Sequence, residues 1–94
     1  MNVTYDFIQD PGHGWIKVPM MDLIVSGVMG KITPYSYYTR THAYLEEDCD
    51  AGTFIDALKE QGKTVKFKSV VIEDFDKYLS RLGRVVRFTG GPDK

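Results

Sequence analysis

A single cysteine, Cys49, in 94 residues rules out an internal disulfide framework, and with only two histidines the four-cysteine and Cys2His2 zinc patterns cannot be assembled. The expected compartment is therefore the reducing cytoplasm. Long apolar runs are also missing. The longest span a few residues, against the ~20 that a membrane helix needs, and no basic stretch followed by an apolar run marks a secretory leader. Charge of one sign is lacking too: twelve lysines and arginines face thirteen carboxylates, for a net charge of -1. What is present is a 43% hydrophobic fraction, which suits one core in a chain long enough to need no covalent staple. One domain over residues 1–90 is expected, with 91–94 as a flexible tail.

The small net charge hides an asymmetry. Residues 1–58 carry three basic side chains (Lys17, Lys31, Arg40) against eight acidic ones, and residues 59–94 carry nine against five. If the fold segregates these charges, the surface favours a charged partner or self-association, a homodimer included; if it interleaves them, it is an ordinary mixed surface.

Along the chain, "NVTYDFIQ" (2–9) alternates Val3, Tyr5 and Phe7 with polar residues and predicts a strand with one buried face. "WIKVP" predicts a second, with Ile16 and Val18 on one side and Trp15 and Lys17 on the other. Between them "DPGH" fits a type II turn, with Pro11 at its second position and Gly12 taking the positive φ that follows. Pro19 then opens a short helix with Met20, Leu23 and Ile24 on one face and Gly27 at its end. "YSYYTRTHAYLEE" reads as a second hairpin turning at "TRTH", with Tyr35 and Tyr37 facing one way and Tyr38 the other.

The clearest helix covers 50–62. Ala51, Phe54, Ile55 and Leu58 form its apolar face, with Asp50 or Asp48 as cap and Gly62 as terminator. "KTVKFKSVV" follows as a strand with Val65 and Phe67 inward and Lys66 and Lys68 outward. Beyond it the pattern is ambiguous: a helix near 73–82 is permitted by Phe75, Leu79 and Leu82, and a last strand by Val85, Val86 and Phe88. The fold class expected is α+β, an antiparallel sheet of five or six strands with one main helix on one face, in the order ββαββαβ.

Four features carry candidate chemistry. Asp10, His13 and Trp15 could form a ligand or catalytic site, but one His with one Asp lacks the nucleophile and orienting group of a triad, and the strand that follows Gly14 excludes a phosphate cradle, which needs a helix there. No catalytic residue is assigned. His13, His42 and Cys49 match no metal-ligand spacing, so neither metal nor cofactor is expected, and Cys49 reads as a small, partly buried residue before the helix. The run "EEDCD" places more carboxylates than a helix N-terminus requires. Beside their role at the helix N-terminus, Glu46, Glu47 and Asp48 are therefore candidates for a docking surface for a basic partner, alongside Tyr35, Tyr37 and Tyr38. Lys66, Lys68, Arg81, Arg84 and Arg87 form an alternative nucleic-acid patch, although no nucleic-acid-binding signature accompanies them and specific recognition is not expected.

Together "DPGHGW", "YSYYT" and "YLEEDCDA" resemble landmarks of a group of small uncharacterised proteins encoded by bacteriophages and other mobile elements, over about residues 6–60. The resemblance carries no catalytic residue. It implies a setting, that of an accessory protein which binds and modulates a host protein, bacterial immune complexes among them, in the host cytoplasm. The alternatives are a small-ligand binder or enzyme built on the DPGHGW hairpin, and a weak nucleic-acid binder using the basic C-terminal third.

Overall fold

The alternation at the N-terminus forms β1 (Asn2–Gln9), and a turn leads to β2 (Gly14–Pro19) in a computed structural model that describes residues 1–89. The expected flexible tail at 91–94 lies outside the described residues. Pro19 precedes α1 (Met20–Ser26), which ends at Gly27 with φ 84°, and a 3₁₀ turn (Met29–Lys31) follows. The tyrosine-rich hairpin is β3 (Tyr37–Tyr38) and β4 (His42–Glu46); then come α2 (Asp50–Glu60), β5 (Thr64–Val71), α3 (Phe75–Ser80) and β6 (Val86–Arg87). The expected order holds through β5. The segment that was ambiguous in sequence supplies α3 and β6.

The six strands form one sheet in the order β5-β1-β2-β4-β3-β6. Four pairings are antiparallel, but β5 runs parallel to β1, with Asn2 opposite Thr64 and Gln9 opposite Val71. The sheet is therefore mixed, not antiparallel as expected. The cause is α2: it leaves the end of β4 and carries the chain back across one face, so β5 starts level with β4 and runs in its direction.

Helices α1 and α2 cover one face, where Ile16, Val18, Leu23, Ala43, Leu45, Phe54 and Leu58 are buried together. The other face is covered only at one end, by α3, whose Phe75 and Leu79 pack on Ile8, Trp15 and Tyr44. One main helix packed on one face was expected, with no element assigned to the other. Ile8, Trp15 and Tyr44 are large apolar side chains on the opposite face, and without α3 they would stand in water.

Three smaller expectations are also corrected. Ile24 is 51% exposed, because α1 turns Leu23 and Ser26 inward. Phe67 is 46% exposed because β5 is an edge strand of the sheet, where the ring meets Phe7 edge-on. Cys49 is exposed rather than partly buried.

Candidate functional site

The end of β1, the starts of β2 and α3, and the loop between β4 and α2 all meet at one end of the sheet. Asp10 organises this end. Its Oδ1 accepts the backbone N–H groups of Gly12 (2.9 Å) and His13 (2.8 Å), its own N–H donates to the His13 carbonyl (3.0 Å), and its Oδ2 accepts the N–H of Phe75 (3.1 Å). Burial pushes the Asp10 carboxyl up, but the N–H donors of His13, Gly12 and Phe75 outweigh it and hold the group below the ordinary carboxylate value. With its oxygens taken by backbone donors, Asp10 positions the loop and α3. His13 is exposed.

The turn is not the type II turn expected. Gly12 does not occupy the left-handed region, because the Asp10 side chain, not a positive φ, bends the chain. A Cβ there would meet nothing nearer than Asp10 Oδ1 at 3.9 Å, so the basis for an intolerant Gly12 disappears. The constrained glycine is Gly14. A Cβ on it would stand 2.6 Å from Phe7 Cζ and 2.7 Å from Cε1.

Above this turn lies a cavity of about 530 Å³. Trp15, Tyr35, Tyr37 and Phe75 give it aromatic walls, and Asp10, Glu46, Asp48, Asp74 and Asp76 give it five carboxylates, with His13 and Cys49 also lining it. None of the lining residues is a lysine or arginine. Phe75 is the hub of the wall: it stacks on Trp15 (ring centroids 3.4 Å apart, planes at 7°) and contacts Tyr37, Tyr44 and Tyr78 at about 6 Å. Asp74 caps α3 by accepting the N–H of Asp76 at 2.9 Å and of Lys77 at 3.4 Å. The buried Trp15 Nε1 has no protein acceptor. At the rim, the Arg87 guanidinium lies over the Tyr37 ring (5.1 Å to the centroid) and donates to its hydroxyl at 2.9 Å.

Asp50, expected as a helix cap, has a different task. It is completely buried, and α2 has no side-chain cap at all. Its carboxylate accepts the Thr33 N–H (3.0 Å), the Thr33 hydroxyl (2.8 Å) and the Ser36 hydroxyl, while Ser36 Oγ in turn accepts the N–H of Glu46 (2.9 Å). The network ties the 33–36 loop to α2 and to the end of β4. It thereby sets where Tyr35, Tyr37 and Glu46 stand.

Two candidate groups from the sequence thus converge: Asp10, His13 and Trp15 share one cavity with Tyr35, Tyr37, Glu46 and Asp48. Tyr38 and Glu47 are not among its lining residues. Tyr38 packs on Phe88 on the helix-covered face (4.7 Å), and the Glu47 N–H donates to the Gly14 carbonyl (2.9 Å). Asp74, Phe75 and Asp76 were not singled out as site residues. The only signal for them was an aspartate ahead of the helical pattern at 75–82.

The five basic residues of the alternative patch are not brought together. Lys66 and Lys68 lie on β5 and Arg87 on β6, at opposite edges of the sheet and five strand spacings, on the order of 24 Å, apart. Arg84 lies beside Tyr38 and Val86 at the β6 edge, whereas Arg81 lies with Val71 and Ile72 where the chain leaves β5. Among the described residues, no group of three or more His, Cys, Asp or Glu could hold a metal ion, and no helix is long and apolar enough to cross a membrane. No family model, curated protein or solved structure matches the chain.

Proposed function

We propose that the protein is a non-enzymatic binding protein that seats a basic segment of a partner protein in the acidic, aromatic cavity. The observation that supports this reading is the lining itself: five carboxylates and four aromatic rings, with no lysine or arginine among them. Carboxylates on apolar walls concentrate field lines and draw cations in, and aromatic faces add cation–π attraction once the cation is desolvated. The resemblance to small phage-encoded proteins supports a host protein as the partner, bacterial immune complexes included.

The test uses an arginine-glycine octapeptide as probe and a glutamate-glycine octapeptide as control, with Trp15 fluorescence as the readout. Only the arginine peptide is expected to bind, and more weakly as salt rises. Exchanging Asp48 and Asp76, both exposed, for lysine together weakens binding roughly tenfold or more and flattens the salt dependence. Binding that ignores salt, or that survives the exchange unchanged, removes the cavity from the proposed interface.

A second reading, a small-ligand site, is favoured by the Trp15 indole. Its Nε1 is buried without a partner in a side chain that lines the cavity, and a compact ligand that reached it would offer an acceptor. The cavity volume falls in the small-molecule range.

A further inference from the structure

The sheet ends at β5, and among the described residues no strand pairs with its outer side. The direction of its backbone groups follows from two hydrogen bonds at the ends of the parallel ladder. The Thr64 N–H donates to the Met1 carbonyl and the Ile72 N–H to the Gln9 carbonyl, each at 2.9 Å. In a parallel ladder the residues that bond inward alternate with those that bond outward, so 64, 66, 68, 70 and 72 face β1. Val65, Phe67, Ser69 and Val71 therefore direct their N–H and C=O groups away from the sheet. Their side chains lie on the helix-covered side, where Phe67 and Val71 remain 46% and 76% exposed, and Lys66 and Lys68 project from the other side.

We propose that this edge is a second docking surface, which adds an extended acidic segment of a partner as a seventh strand. Strand addition draws its affinity from main-chain hydrogen bonds and its selectivity from the side chains alternating on either face. Here one face of the incoming strand meets Phe67 and Val71, and the other meets Lys66 and Lys68, so an alternation of apolar and acidic residues is complementary. The same lysines select against a second copy. Antiparallel pairing of two β5 strands centred on Phe67 sets Lys66 of each opposite Lys68 of the other, and like charges placed directly across a ladder repel. None of the β5 residues lines the acidic cavity, and the charged side chains on the strand, Lys66 and Lys68, are of the opposite sign.

The experiment uses the full chain and a capped octapeptide alternating valine and glutamate, with a valine-lysine peptide as control. Amide NMR and hydrogen exchange report the site. Addition of the glutamate peptide is expected to protect the amides of Val65, Phe67, Ser69 and Val71, and the lysine peptide is not. Ser69→Pro removes an outward donor at an edge position that tolerates proline, and weakens binding about tenfold while the inward ladder amides stay protected. The double exchange of Lys66 and Lys68 for glutamate reverses the preference between the two peptides, and decides the matter should Ser69→Pro fail to fold. Equal response to both peptides, or protection confined to other residues, overturns the proposal. So does protection of the same outward amides in a dimer of the unliganded chain, strengthened by exchange of Lys66 and Lys68 for threonine, which would assign the edge to a second copy.

Discussion

Replacing Asp50 is expected to unsettle the cavity from beneath, at a cost that follows from its three acceptor contacts. Thr33 donates twice and the fully buried Ser36 once. Alanine removes all three partnerships and strands the Ser36 hydroxyl and the Thr33 N–H, and each buried donor left unpaired costs about 1–3 kcal/mol. Water reaches part-buried Thr33, so the sum is about 3–5 kcal/mol, a large part of what a domain this size possesses. Asparagine keeps the volume and can accept from two of the three donors; its cost is about 1–2 kcal/mol. Urea melts followed by circular dichroism measure both, and thermal melts should fall about 4–8 °C per kcal/mol. A cap behaves differently. If Asp50 served only the helix N-terminus, alanine would cost about 0.5–2 kcal/mol and serine would restore most of it. An Asp50→Ser variant as stable as the parent would therefore refute the anchor. So would additive losses for Asp50→Asn and Ser36→Ala, because partners in one network are expected to couple.

Two further outcomes concern the loop at residues 10–15. Gly14→Ala should cost about 1–3 kcal/mol, because the new methyl drives into the Phe7 ring, whereas Gly12→Ala should be neutral or stabilise by a few tenths in the same melts; the reverse ranking would show that the turn is built otherwise. Asp10 makes docking of α3 acid-sensitive. Its native pKa lies below the ordinary 3.8, so its contribution is complete above that value and is lost as pH falls through the lowered one. Trp15 fluorescence, which reports the Phe75 stack, should show a step in that window that Asp10→Asn abolishes, and a step at or above 3.8 would contradict the assignment.

Much of the fold was legible because local signals agreed. Residues 2–9 alternate, 50–58 repeat at helical spacing, and the structure places β1 and α2 there with Phe54 and Leu58 buried. What escaped was decided at long range. The parallel partnership of β1 with β5 leaves no mark on either strand, since Val65 and Phe67 alternate as an antiparallel strand's residues would. Trp15 and Ile16 are adjacent and both buried, which no single-faced strand allows, and only the docking of Phe75 explains the pair. Asp50 was misread because an aspartate at the start of a helix normally caps it, and its loop partners lie 14 and 17 residues upstream. The cavity was visible as two separate candidate groups. Their union depended on β2 and β4 lying side by side with Trp15 opposite Glu46.

The β1–β5 pairing also sets an order of events during synthesis. β1 leaves the ribosome ahead of the other five described strands, yet one of its two edges has no partner until β5, which ends at Val71, has followed it out. Until then the nascent chain presents Val3, Tyr5, Phe7 and Ile8 beside an open ladder with no lysine to discourage pairing with a neighbouring chain. The finished protein exchanges that apolar rim for a lysine-bearing one. A chain truncated before residue 64 should thus aggregate, and a translational pause just ahead of β5 should reduce soluble yield more than one placed after it.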